Sequence, residues 1–249
     1  MTPARKRLLL FGALATLAAI LAVAAIILLL RREAEERRAA VCLRTDIGVA
    51  GLESGSCRPP AAFADFAESP VTDSGGAASV SLSHPTDPRA GAVTVRTCAA
   101  WRARRAEGWH ALAAADMRRE LAFERACGAL AALERARAPE RTHFRDGALA
   151  RGDVAAVAGA APLRIGPAAD DAEAGTVAIE AEAPGVWRWS AGGQRVRLQE
   201  IAHADFNGDG LGDVLVFLAA AAESGTASAG AVGIVEKTAE NAPARFTAM

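Results

Sequence analysis

The chain has 249 residues and an almost balanced charge, with 28 Lys and Arg against 29 Asp and Glu, for a formal net charge of -1. This balance excludes the concentrated basic surface that nucleic-acid binding requires. The length suits one domain or two small ones and excludes a large multidomain enzyme. Hydrophobic residues make up 51% of the chain, but aromatic residues only 5%, so any core is built largely from small side chains.

The first clear element is an uncharged apolar run at residues 8–30. As a helix it would be roughly 34 Å long, enough for a hydrocarbon core of about 30 Å, which predicts a transmembrane helix. The basic residues Arg5, Lys6 and Arg7 before it leave a cleaved signal peptide as the alternative. The run ends in charged residues and not in a small-residue cleavage site, which favours the membrane anchor.

Basic residues flank both sides of this run, so their count does not decide the orientation. A short tail at residues 1–7 is simpler to leave in the cytoplasm than the long remainder of the chain. Arg greatly outnumbers Lys, which occurs only at Lys6 and Lys237, and this bias indicates a GC-rich bacterial source. We therefore expect a single-pass protein of the bacterial inner membrane, in contact with the membrane through residues 8–30, with its C-terminal domain in the periplasm.

The four cysteines suit that oxidising side. Cys42, Cys57, Cys98 and Cys127 contain no CxxC pair that would indicate zinc or thioredoxin-like chemistry. Disulfides are the natural interpretation outside the cytoplasm, and buried free thiols are the alternative. Of three possible connectivities, the sequential one closes the shortest loops.

The middle of the chain divides into a linker and a helical segment. Residues 31–97 are interpreted as a flanking region and a Pro-, Gly- and Ser-rich linker, with one short strand at 92–97. Residues 98–138 predict a helical segment in two pieces, broken near Gly108, because good helix formers dominate there. In the second piece a buried stripe is expected at spacings of three and four: Phe123, Ala126, Cys127, Leu130 and Leu133.

Three acidic residues, Asp116, Glu120 and Glu124, lie four apart in that helical segment. They could act as paired carboxylates in acid and base chemistry or at a metal. Arginines between them favour a solvated charged face instead.

Residues 139–249 form a β-rich region. Alternating patterns and turn signals predict strands at 176–183, 186–190, 195–203, 213–221 and 231–237, in meander order. Trp187 and Trp189 fall on one strand face, where core packing is expected and a ligand-stacking platform is the alternative. The predicted fold is α+β: an N-terminal transmembrane helix, a helical segment, then a small, mostly antiparallel β-sheet that carries one calcium loop.

That loop spans residues 205–213, with the sequence DFNGDGLGD. Calcium loops place oxygen ligands at positions 1, 3, 5, 7 and 9, with the seventh a backbone carbonyl. Those positions are Asp205, Asn207, Asp209, the carbonyl of Leu211, and Asp213. The twelfth position holds Val216 in place of the Glu of an EF-hand, so the loop joins two strands. A metal-free turn rich in Asp and Asn is the alternative.

Residues 204–218 closely resemble the calcium loop of FG-GAP and VCBS-type repeats. The resemblance implies that the five residues just given coordinate Ca²⁺. Such repeats build β-propellers of several blades, but this sequence has no second copy, so no propeller is expected. The calcium role would be structural, with a dissociation constant of about 0.1 to 1 mM.

The sequence offers no catalytic motif. His84, His110, His143 and His203 are scattered, and the chain lacks HExxH, GxSxG, P-loop and dinucleotide signatures. His203 lies two residues before the loop, either as a support for a ligand or as an ordinary strand histidine. We expect a binding or envelope-associated module, with an envelope protein as its possible partner. The alternative is a hydrolase acting on envelope material through a site that the sequence does not identify.

Overall fold

A computed structural model describes residues 40–74, 76–160, 177–224 and 227–249 of the chain. The predicted tail at residues 1–7 and membrane helix at residues 8–30 lie outside these ranges. None of the described helices is long and apolar enough to cross a membrane. The predicted fold, a transmembrane helix followed by a helical segment and a small sheet, is corrected in its sheet, which is large. A large seven-stranded sheet dominates the compact unit Val41–Met249.

The first part of this unit is a series of short antiparallel hairpins. Strand β1 (Val41–Cys42) pairs with β2 (Cys57–Arg58), β3 (Thr72–Asp73) with β4 (Gly76–Ala77), and β5 (Val80–Ser83) with β6 (Ala92–Val95). Two 3₁₀ helices, Pro60–Phe66 and Pro88–Ala90, each begin with a proline, whose fixed φ and missing N–H suit the first helical position.

The linker predicted over this stretch is wrong for residues 41–91, because their apolar side chains are part of the core, whereas the short strand predicted at 92–97 is found as β6. Ile47, Leu52, Phe63, Val71 and Leu82 are all fully buried. Pro and Gly lie in the turns between the short strands of this region. The apolar residues between those turns pack into the core and hold each hairpin against it.

The helical segment contains two helices, α1 (Cys98–Ala106) and α2 (Ala114–Leu133), and the predicted break near Gly108 is confirmed. Thr97 caps the N-terminus of helix α1, where its hydroxyl accepts a hydrogen bond from Ala100 N at 3.3 Å. The predicted stripe on α2 is buried. A third helix, α3 (Arg151–Gly159), begins after Ala150, whose N–H donates to Asp153 Oδ2 at 2.9 Å.

The main sheet contains all five predicted strands and two more. Its members are β7 (Arg141–Thr142), β8 (Glu180–Ala183), β9 (Val186–Ala191), β10 (Gln194–Ala204), β11 (Leu211–Ala222), β12 (Ser228–Glu236) and β13 (Arg245–Ala248). Strands β8 to β13 form an antiparallel meander in chain order, and β7 pairs in parallel with the start of β11.

Both faces of the sheet are covered. Along β11, Leu215 and Phe217 join the core that contains α2, while Val214, Val216 and Leu218 join the core that contains α3. This alternation follows from the two-residue period of a strand. Because both faces are buried, β11 has an almost continuous apolar sequence.

Two disulfides tie the N-terminal part together. Cys42 is bonded to Cys57 across β1 and β2, and Cys98 to Cys127 across α1 and α2. There are no free cysteines. Disulfide formation is confirmed, and the connectivity is the sequential one, which closes the shortest loops.

Candidate metal centre

The loop at residues 205–213 connects β10 to β11 at one end of the main sheet. Asp205 directly follows β10, and Asp213 lies in β11 opposite Ala204. Gly208 and Gly210 have φ of +85° and +80°, the left-handed region that glycine enters without a Cβ penalty. These two glycines let the chain reverse direction within a few residues.

The acidic and amide side chains of the loop accept hydrogen bonds from its own backbone. The bonds are Gly208 N to Asp205 Oδ1 (2.6 Å), Gly210 N to Asp205 Oδ2 (3.1 Å), Asp209 N to Asn207 Oδ1 (3.0 Å) and Leu211 N to Asp209 Oδ1 (2.7 Å). Asp and Asn favour turns through bonds of this kind. The loop conformation is therefore held by the side chains that were predicted to bind the ion.

The neighbouring segment after α2 fixes the loop from the side. Arg137 and Asp205 exchange two backbone hydrogen bonds, at 2.8 and 3.0 Å, and Glu140 N donates to Gly210 O at 2.9 Å. Leu211, the predicted carbonyl ligand, begins β11 opposite Arg141 of β7. The loop is thus hydrogen-bonded along its length to the backbone of one neighbouring segment, residues 137–142.

Asp213 is the most constrained side chain of the site. It is 1% exposed, and its Oδ2 accepts a hydrogen bond from Phe206 N at 3.1 Å. Its Oδ1 is buried and has no hydrogen-bond partner among the described residues. Burial raises the pKa of Asp213 to about 7; the Phe206 bond opposes this shift, and Asp209, Glu236 and Asp205 add to it.

A buried carboxylate oxygen without a partner is costly, and native proteins rarely leave one so. A divalent cation would satisfy that oxygen and would reverse the pKa shift. Asp205, 3% exposed, lies on the same buried side of the loop, whereas Asn207 and Asp209 are exposed. The predicted side-chain ligands thus divide into a buried pair and an exposed pair, and the donor set fits a hard cation such as Ca²⁺.

The structure adds a fourth carboxylate that the sequence analysis missed. Glu236, at the end of β12, accepts a hydrogen bond from Asn207 Nδ2 at 3.3 Å, and the same nitrogen donates to Asp209 Oδ2 at 3.2 Å. A signal was present in the predicted meander. In that order the end of β12 lies beside the start of β11, and therefore beside the loop.

The described residues contain no group of three or more His, Cys, Asp or Glu side chains already arranged to hold a metal. This agrees with the bonds given above, because most of the loop's carboxylate oxygens are engaged with backbone amides. Ion binding would therefore have to draw on Asn207 and the backbone as well as the carboxylates.

His203 packs against Gly212 at the end of the loop, where a Cβ added to that glycine would lie 2.5 Å from the imidazole Nε2. Its Nε2 is 3.0 Å from the hydroxyl of Thr142, and a Cβ added to Gly147 would lie 2.8 Å from its Cγ. Burial lowers the pKa of His203, and the positive charge of Arg44 lowers it further. These contacts agree with an ordinary packed histidine of a strand.

Most of the other predicted candidates have structural partners, but His143 Nε2 is buried without a hydrogen-bond partner among the described residues. Trp189 is buried in the core on the α3 side, which agrees with core packing, and Trp187 Nε1 donates to Glu200 Oε1 at 3.3 Å. On α2, Asp116 pairs with Arg119 and Glu120 with Arg105, but this charged face is half-buried and not fully solvated, and burial raises the pKa of Glu124. His84 makes an edge contact with Trp109. His110 contacts Arg105.

Glu200 is a second buried carboxylate that the sequence analysis missed. It is 2% exposed, pairs with Arg44 Nη1 at 3.3 Å and accepts a hydrogen bond from Leu149 N at 3.3 Å. Burial raises its pKa, and the bonds from Trp187, Arg44 and Leu149 partly oppose that shift. With these partners, Glu200 forms a part-buried ion pair with Arg44 that joins strand β10 to the N-terminal region.

No protein-family model, curated protein or solved structure matches this chain. The likeness of residues 204–218 to FG-GAP and VCBS-type loops therefore rests on the loop's own residues and stays a prediction. A function has to be argued from the site itself and not from the fold.

Proposed function

We propose that residues 205–213 bind one structural Ca²⁺ and that the protein is a binding or envelope-associated module whose sheet this ion stabilises. The observation that carries the proposal is the buried, unpartnered Oδ1 of Asp213. A cation at the loop would neutralise Asp205, Asp209 and Asp213, and it would draw on the amide oxygen of Asn207 and the carbonyl of Leu211. The ion would lock β10 to β11 and would have no part in bond-making chemistry.

Calcium is favoured over other ions by the type of donor. All the proposed ligand atoms are oxygens, which suit Ca²⁺ and Mg²⁺ but not the softer ions that prefer thiolate or imidazole. The loop's spacing of alternate ligands around glycines is that of a calcium loop, and Mg²⁺ usually keeps several waters and is held by only one or two carboxylates.

The disulfides indicate the compartment that suits such a site. Two disulfides with no free cysteine are typical of proteins outside the reducing cytoplasm. Calcium sites with dissociation constants of about 0.1 to 1 mM belong to extracellular modules, where calcium is abundant. We therefore propose that the unit Val41–Met249 works in the bacterial periplasm, where an envelope protein would be its partner.

Thermal unfolding tests the proposal. The purified protein is melted in calcium-depleted buffer and then with calcium raised to 10 mM. At tenfold the dissociation constant, the ion should stabilise the folded state by about 1.4 kcal/mol, a rise of roughly 3 to 6 °C in Tm for a domain of this size.

Two comparisons give that measurement its meaning. Asp209→Asn should lose most of the rise, whereas the matched variant Asp65→Asn, which changes an exposed carboxylate of the first 3₁₀ helix, should keep it. Magnesium at the same concentration should give a smaller rise. Identical melting curves with and without calcium would end the proposal.

A further inference from the structure

We propose that Glu236 is an additional calcium ligand, so that the ion ties the loop to the end of β12 as well as to β10 and β11. This inference rests on the calcium loop proposed above. It assigns a ligand that lies outside that loop and 23 residues beyond Asp213 in the chain.

The first support is the register of the sheet. Strands β11 and β12 are antiparallel, with Val214 opposite Val235. The next position along this ladder brings Glu236 beside Asp213. Residues directly opposite in an antiparallel pair have Cβ atoms about 4.5 to 5.5 Å apart on the same face of the sheet, so the two carboxylates lie close enough to repel each other. A shared cation would remove that repulsion.

The second support is the position of the Asn207 amide. Its Nδ2 donates to Glu236 Oε2 at 3.3 Å and to Asp209 Oδ2 at 3.2 Å. One amide group thus links a carboxylate of the loop to a carboxylate of β12. Each carboxylate accepts one of the two N–H groups of that amide, so two negative charges lie at the same place, where a divalent cation would neutralise both.

The third support is ligand number. Calcium takes six to eight oxygens, and the loop by itself offers five ligand positions. An EF-hand completes its set with a Glu at position 12, where this chain has Val216. Glu236 brings a carboxylate to the loop from the neighbouring strand, in place of the one that the loop sequence lacks.

The other carboxylate oxygen of Glu236 is hydrogen-bonded to the neighbouring strand β13. This oxygen, Oε1, accepts a hydrogen bond from the hydroxyl of Thr247 at 3.2 Å. Thr247 lies on β13, at the edge of the sheet. Residues that orient a metal ligand in this way are typical of metal sites. Calcium binding at Glu236 would consequently also steady β13.

The test compares Glu236→Gln and Glu236→Ala with the matched variant Glu240→Gln, which changes an exposed carboxylate four residues further on. Calcium affinity is measured by calorimetric titration of the whole protein. Luminescence lifetimes of Tb³⁺, used as a calcium substitute in H₂O and in D₂O, count the waters bound to the ion. Melting of each variant in calcium-depleted buffer checks that it folds.

We expect both Glu236 variants to weaken calcium binding at least about tenfold. This is the lower end of the roughly 10- to 100-fold loss of affinity that follows when a residue supporting a metal site is removed. Glu236→Ala should add at least one water to bound Tb³⁺, because solvent replaces the lost oxygen. Glu240→Gln should change neither quantity.

The two proposals fail in different ways. If the unaltered protein binds no calcium, the calcium loop and this inference both fall. If the unaltered protein binds calcium and Asp209→Asn weakens that binding, but both Glu236 variants keep the same affinity and the same number of waters, then the loop alone holds the ion and Glu236 is not a ligand.

Discussion

The buried carboxylate of Asp213 gives the sharpest prediction, for the substitution Asp213→Asn. The amide has almost the same shape and can still accept the hydrogen bond from Phe206 N, but it carries no charge. Burial raises the pKa of Asp213 from 3.8 to about 7, a difference that corresponds to about 4 kcal/mol against the ionised form. Without calcium, the charge of Asp213 is therefore a cost to the folded state.

Because the pKa of Asp213 is raised in the folded state, its contribution to folding stability falls as the pH rises. The folded protein holds this proton more tightly than the unfolded chain does, so between pH 3.8 and about 7 the native state binds more protons. The contribution of Asp213 to stability in calcium-depleted buffer thus falls as the pH rises through this window and levels off above it. The Asn variant lacks the effect. Its advantage should grow from near zero at pH 4 to at most about 4 kcal/mol at pH 8.

Calcium should reverse this order. At pH 8 with 10 mM calcium the unaltered protein gains the binding free energy, whereas the variant has lost a charged ligand. Urea unfolding followed by tryptophan fluorescence measures both states at each pH. The reasoning is refuted if Asp213→Asn is the less stable protein in calcium-depleted buffer at pH 8, or if calcium stabilises it as much as it stabilises the unaltered protein.

Three further predictions concern other parts of the fold. Glu200→Gln should flatten the fall in stability above pH 4.5, because burial raises the pKa of Glu200; urea unfolding from pH 4 to 8 tests this, and an unchanged slope would contradict it. Gly210→Ala should cost about 1 to 2 kcal/mol because its φ is +80°, whereas Gly152→Ala, in the open first turn of α3, should be neutral or stabilising; equal Tm values for the two would count against this. Replacing both Cys42 and Cys57 by Ser should cost about 3 kcal/mol for the closed loop of 15 residues, and an unchanged urea midpoint would show that this bridge adds nothing.

The elements that follow a simple period could be predicted from the sequence. The stripe on α2 repeats at three and four, and its residues Phe123, Leu130 and Leu133 are buried. The main strands alternate or run apolar between clear turn signals, so the meander was recognisable. The loop itself lies where the sequence placed it, between two strands, whereas the ligands proposed from their spacing around Gly210 stay a prediction.

Apart from β6, the strands of the N-terminal hairpins could not be predicted, because they have only two to four residues. Such strands are too short to establish a period, and the Pro and Gly of the turns dominate the pattern. Residues such as Leu52 and Phe63 are buried by long-range packing, which no local pattern records. The membrane helix predicted at residues 8–30 lies outside the described residues. The main sheet has seven strands, two more than the sequence predicts.

Glu236 and Glu200 could not be predicted from the sequence, for two different reasons. Glu236 meets the loop only through the register of β11 and β12, which a single sequence does not fix. Glu200 lies on the same strand face as Val196 and Leu198, opposite Val216, and this face is buried. Its charge favours a solvent-facing position, and only the ion pair and hydrogen bonds from other elements explain its burial.

The most direct measurement of the central claim is a crystal structure of the protein grown in 10 mM calcium, with anomalous data collected to identify the ion. We predict one calcium at the loop, with oxygens of Asp205, Asp209 and Asp213 about 2.3 to 2.6 Å from it. A loop that holds only water at this calcium concentration, with Asp213 Oδ1 still lacking a partner, would contradict the account.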